Sequence, residues 1–130
     1  NRTHMIRIPD AGRFELRLMD GSSNPYLLQA GVIAAGLHGL NNKVNPGEPL
    51  SCNMYTDFKN YPHLKKLPNE IQDALEFLQN SKELKEAFGE DVITSYIKLK
   101  NMEIEDFNKK EKFDKKSSVT HWEKNSTLDC

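Results

Sequence analysis

A chain of 130 residues, 37% hydrophobic and 28% charged, has material for one domain with a modest core and no more. Its formal net charge of −1, with both signs interspersed, gives no global attraction to nucleic acid or to an anionic membrane. Two cysteines set far apart, Cys52 and Cys130, do not make a disulfide framework. The four histidines, lacking His-x-x-x-His or Cys-x-x-Cys spacing, give no zinc site. The chain opens at Asn1 and runs charged residues straight into a strand-like pattern, which predicts a C-terminal piece of a longer protein with the first half of any site upstream.

Residues 3–8 are predicted to form a strand that stops at Pro9, which lacks a backbone donor. The run Pro9-Asp10-Ala11-Gly12 reads as a tight turn with Gly12 free to take positive φ, so segments 3–8 and 13–19 form an antiparallel hairpin. In the second strand, Arg13, Glu15 and Arg17 share one face while Phe14, Leu16 and Leu18 share the other. Side chains two apart on a strand stand ~6.5–7 Å from each other, which sets a carboxylate between two guanidinium groups. On pattern alone this row is a solvated face with cross-strand ion pairs or the floor of a site for an anionic substrate and a metal ion. Arg2 and Arg7, an odd number apart, need a bulge or a position beyond the strand end to join it together.

Asn24 and Pro25 mark a helix start as N-cap and first helical residue. From Tyr26 to about Leu40 the sequence is apolar almost all round, a buried helix too short for the ~20 residues of a membrane span. Gly31, Ala35 and Gly39 line up every four residues, predicting close approach to a neighbour, most simply the apolar face of the hairpin. The stretch from Asn41 to Pro68 reads as a long irregular loop, a common home of function. Residues 69–79 make an amphipathic helix with Ile71, Leu75 and Leu78 inward. Asn80-Ser81-Lys82-Glu83 offers a capping box for a short helix through Phe88 that Gly89 stops, and Asp91 caps a long helix to about Lys110. The lysine-rich run from Lys109 to Lys116 is a solvated helix end.

The motifs Asn1-Arg2, Ile6-Arg7-Ile8-Pro9, Arg13-Phe14-Glu15-Leu16-Arg17, Asp20 with Asn24-Pro25-Tyr26-Leu27, Ala35-Gly36-Leu37-His38-Gly39-Leu40 and Pro46-Gly47-Glu48-Pro49 stand in one order. In that order the chain resembles the C-terminal part of the glutamine synthetase catalytic domain, from Asn1 to about Phe107. The resemblance implies an α+β fragment with a hairpin from a curved sheet, a partial barrel, packed with helices. It also implies a cytoplasmic, ring-forming homo-oligomer with sites between subunits. The activity implied is ATP-dependent ligation of ammonia to glutamate through γ-glutamyl phosphate, with Mg²⁺ or Mn²⁺ as cofactor.

Residue by residue, the resemblance implies that Glu15 ligates a divalent ion and that Arg17 holds the glutamate substrate. Arg2 and Arg7 contact the ATP phosphates, Arg2 also stabilising the transferring phosphoryl group, and Arg13 lies near those phosphates. The turn from Pro9 to Gly12 is shorter than in many members and lacks the lysine that reaches the nucleotide in some of them. Tyr55 aligns with a tyrosine adenylylated in some bacterial members. Thr56-Asp57-Phe58 replaces the usual Asp-Leu-Pro there, so modification at Tyr55 is not expected. The tail from Val119 looks like that of a divergent subgroup containing type III-like enzymes and γ-glutamylmethylamide synthetases. Three readings follow: glutamate–ammonia ligase, a ligase of the same mechanism for methylamine or another amine, and a non-catalytic structural or regulatory relative.

Overall fold

The computed structural model describes residues 2–111 and 119–126. Two strands, β1 (Ile6–Asp10) and β2 (Arg13–Leu16), are followed by helices α1 (Pro25–Asn41), α2 (Met54–Asp57), α3 (Ile71–Asn80), α4 (Lys82–Phe88), α5 (Glu90–Lys110) and α6 (His121–Ser126). A 3-10 turn, Phe58–Asn60, continues α2. The lysines of 112–116 and Cys130 lie outside the described residues.

The strands pair antiparallel with Ile6 opposite Leu16, Arg7 opposite Glu15 and Asp10 opposite Arg13. Between Arg7 and Asp10 the register shifts, because β1 carries one more residue than β2 over that interval. Pro9 therefore lies inside the strand rather than ending it. A proline with no N–H to give is accommodated where the ladder is already interrupted. Gly12 turns the chain at φ 77°, as its freedom from a Cβ allows.

The N-cap of α1 forms as the sequence predicts, with Asn24 Oδ1 accepting from the backbone N–H of both Tyr26 and Leu27 at 3.0 Å. The placement of that helix differs from expectation. It packs mainly on α4, and none of its residues is fully buried. A Cβ added at Gly31 or Gly39 would meet no atom within 4 Å, so the small-residue stripe has no neighbour against it. The apolar side of the hairpin is likewise open, with Ile8 72% and Phe14 62% exposed. Both surfaces are apolar enough to be buried, but among the described residues each lacks the layer that would cover it.

The core sits instead where α5 meets α3 and α4, with Leu75 and Ile93 as its buried residues. Ser81 caps α4 through Oγ, which accepts from Leu84 N–H at 3.3 Å. Gly89, at φ 87°, ends α4 and immediately precedes α5. Asp91 consequently falls in the first turn of α5 rather than at its cap, where its charge still suits the helix dipole. Within the predicted loop, α2 is held by Asn53, whose Oδ1 accepts from Tyr55 N–H at 3.0 Å. The helix α6 is announced by a capping box: Glu123 N–H donates to Thr120 Oγ1 at 3.1 Å, and Thr120 N–H donates to the Glu123 carboxylate at 2.6 Å.

Candidate active site

The strand alternation and the cross-strand register together put Arg7, Arg13 and Glu15 on one face. Arg7 stands directly opposite Glu15, and its Nη1 donates to both carboxylate oxygens, at 3.0 Å to Oε1 and 3.1 Å to Oε2. Arg13 Nη2 reaches Glu15 Oε1 at 3.5 Å and Asp10 Oδ2 at 3.8 Å. The hydrogen bond from Arg7 and the field of Arg7, Arg13 and Arg17 hold the Glu15 carboxyl below the usual carboxylate range, against a smaller opposing effect of desolvation. Glu15 is therefore ionised at neutral pH, and a surplus of positive charge surrounds it.

Arg17 extends the row past the end of β2, where its backbone N–H donates to Met5 carbonyl oxygen at 2.8 Å. Among the described residues no carboxylate lies within ion-pair distance of its guanidinium. Arg2 precedes β1 and is exposed, and the bulge in β1 lies beyond Arg7, between Arg7 and Asp10. Four of the five predicted site residues, Arg7, Arg13, Glu15 and Arg17, are thus brought onto one hairpin, and Arg2 stands at its approach.

A feature invisible in the sequence fixes that approach. Met54 N–H donates to Thr3 Oγ1 at 2.9 Å, and His4 Nε2 lies 3.0 Å from the carbonyl oxygen of Cys52. These bonds cross 51 and 48 positions of sequence, beyond the reach of any local pattern.

The chemistry of the row suits a polyanion. Guanidinium groups match phosphate or carboxylate oxygens in pairs, and their charge persists at every physiological pH. A hard divalent cation needs several oxygen ligands. Among the described residues no group of three His, Cys, Asp or Glu side chains could enclose one. Glu15 retains acceptor capacity beyond its bond from Arg7, so this chain fits one ligand of such an ion rather than a whole site.

Sequence and structure together define a member of the glutamine synthetases: residues 1–123 match the family described as glutamine synthetase, catalytic domain, and the chain belongs to it. The chain is 45% identical over 129 residues to a glutamine synthetase of Rhizobium meliloti, covering 99% of this chain and 28% of that protein. It is 37% identical over 132 residues to a glutamate–methylamine ligase of Methyloversatilis universalis, with 99% of this chain and 28% of that protein covered. A solved GmaS/ADP complex superposes with a TM-score of 0.76 at 39% identity, covering all of this chain and 28% of the other. The chain thus spans little more than a quarter of the length of these relatives.

Proposed function

We propose that these residues are the C-terminal part of the catalytic domain of an ATP-dependent ligase that joins ammonia to the side-chain carboxylate of glutamate, forming glutamine. The observation that carries the reading is the arginine row around an ionised Glu15, in a chain of this family. In the first step a carboxylate oxygen of glutamate attacks the γ-phosphorus of ATP. The bond to ADP breaks and γ-glutamyl phosphate forms. Ammonia then attacks the acyl carbon, inorganic phosphate leaves, and the nitrogen sheds a proton.

In this scheme Arg7 and Arg13 hold nucleotide phosphates, Arg2 contacts the transferring phosphoryl group and Arg17 grips the glutamate carboxylate. Little covalent work falls to the protein in such transfers, so charge placement supplies most of the catalysis. Glu15 keeps Arg7 and Arg13 oriented and would be one ligand of a Mg²⁺ or Mn²⁺ ion. When bound, such an ion would neutralise phosphate charge. The family's habit supports a homo-oligomeric ring in the cytoplasm. For the described residues, no helix is long and apolar enough to cross a membrane.

A second reading, ligation of methylamine or another small amine, is favoured by the likeness to the glutamate–methylamine ligase and to the GmaS structure. Purified full-length protein incubated with ATP, glutamate and a panel of ammonia, methylamine and ethylamine decides between them. Phosphate release that requires both glutamate and one amine, with the matching amide identified by mass, is expected. Absence of release with every amine overturns the proposal.

A further inference from the structure

We infer that Thr3 and His4 are positioning residues for the arginines on either side of them. The inference rests on the proposed nucleotide role of Arg2 and Arg7. The strand β1 begins only at Ile6, so the ladder does not fix residues 2–4. Two hydrogen bonds to the distant segment 52–54 fix them instead. Met54 is the first residue of α2, and its N–H has no partner within the helix. Thr3 Oγ1 accepts that N–H at 2.9 Å, and His4, protonated at Nε2, donates to the Cys52 carbonyl at 3.0 Å. Thr3 and His4 are half-buried, so water competes poorly for either bond.

The receiving segment is itself braced. Asn53 Oδ1 accepts from Tyr55 N–H at 3.0 Å, and Asn53 N–H donates to Asp57 Oδ2 at 3.1 Å. Arg2 adjoins Thr3 directly, and Arg7 follows His4 by three positions. The staple therefore sets the direction in which Arg2 approaches and the point at which β1 enters the row. Arg17, just past the end of β2, is tied to this arm through the Met5 carbonyl, which accepts its backbone N–H at 2.8 Å. Loosening the staple should disturb the nucleotide end of the site more than the glutamate end.

The test uses the full-length protein and two matched pairs of variants. Thr3→Val removes the acceptor and Thr3→Ser keeps it; His4→Leu removes the donor and His4→Gln keeps an N–H near the Nε2 position. Calorimetric ADP affinity, the KM for glutamate and the melting temperature are measured for each. Thr3→Val and His4→Leu are expected to weaken ADP binding about two- to tenfold, the size of one lost hydrogen bond. Thr3→Ser and His4→Gln should restore it, and the glutamate KM should stay near its original value. ADP affinity unchanged in Thr3→Val and His4→Leu, with amide formation intact, overturns the inference and leaves the proposed function standing. Equal losses in ADP and glutamate constants with a falling melting temperature also overturn it, since they mark a general fold defect. A wild-type protein that neither binds ADP nor forms amide overturns the functional reading and this inference with it. Should Thr3→Val fail to fold, the His4 pair decides by the same criteria.

Discussion

Glu15 lies within β2 and Arg17 just beyond its end, yet the two make different demands on their chemistry. Arg7 and Arg13 both engage Glu15, whereas no carboxylate among the described residues pairs with Arg17. Replacing Glu15 by Gln keeps size and acceptor oxygen but removes the negative charge that orients two guanidinium groups and would ligate a divalent ion. Turnover of the full-length protein is expected to drop by orders of magnitude with its melting temperature nearly unchanged. Mn²⁺ titration should show weaker binding as well. Activity close to wild type at ordinary Mg²⁺ would remove Glu15 from the site. Arg17→Lys keeps the charge but loses the planar fork. A lost charge-assisted contact of about 1.5–3 kcal/mol corresponds to roughly ten- to 150-fold in the glutamate constant, with the ATP constant moving far less. A shift confined to ATP would reverse the assignment of Arg17. Strand alternation made the common face of Arg13, Glu15 and Arg17 legible in the sequence, because its period is local. The pairing of Arg7 with Glu15 was not legible, because it depends on the register shift between Arg7 and Asp10, and neither was the tethering of Thr3 and His4, since no spacing rule links residues about fifty positions apart.

At the level of elements, caps and turns were the most readable features. Asn24, Gly12 and Gly89 each act through their own backbone neighbourhood and stand at the position predicted from it, while the cap of α4 falls on Ser81, one residue past the Asn80 that opens the predicted box. Two short helices escaped prediction because they span too few residues to display a hydrophobic period. For α2 and α6 the available signals were their caps, Asn53 and the Thr120–Glu123 box. The docking of α6 on α5 depends on Asp106, whose Oδ2 accepts from Trp122 Nε1 at 2.7 Å and from Lys110 Nζ at 2.9 Å, while the Trp122 indole meets Phe107 edge-on at 5.5 Å. The Trp122 bond, followed by that of Lys110, lowers the Asp106 carboxyl below its ordinary value of 3.8. A depressed acid stabilises the docked state fully above that ordinary value, and the contribution disappears as pH falls through the lowered one. Trp122 is the chain's one tryptophan, so its fluorescence reports this contact. Emission should hold steady from neutral pH down to about pH 5 and shift red only below the ordinary carboxylate range. Asp106→Ala should be red-shifted already at neutral pH. Identical emission from the variant and the wild type would mean that the Phe107 ring and the Glu111 carboxylate, which accepts from the Trp122 backbone N–H at 2.9 Å, hold Trp122 without Asp106.

Across the whole molecule, the sequence supplied the class of fold and the element order but not the placement of its layers. Both the hairpin and α1 present apolar surface, and pairing them with each other was the simplest way to cover it. The structure leaves both open: Ile8, Phe14, Tyr26, Ile33 and Leu37 are exposed, while among the described residues the buried apolar side chains are those of Leu75 and Ile93. Hydrophobic pattern says that a face is to be buried, and it does not say by what. Contiguous exposed apolar surface of this kind marks an interaction face or an aggregation liability. The chain matches little more than a quarter of each relative's length, and we propose that the remainder of a longer protein covers this surface. Expressed alone, residues 1–130 should therefore bind the dye ANS strongly, melt over a broad range and associate at micromolar concentration. The full-length protein should bind little dye and melt cooperatively. Exchanging Phe14 and Ile8 for Ser and Thr in the isolated chain should lower both dye binding and self-association, since it removes apolar area without touching the α3–α5 core. The same exchange in the full-length protein should instead destabilise it, because those side chains would then be leaving a filled interior. Calorimetry and sedimentation on the four proteins check this. A sharp, dye-free transition in the isolated chain would show that the hairpin and α1 find cover within these residues, and equal stability of the two full-length proteins would show that the hairpin's apolar face stays in solvent.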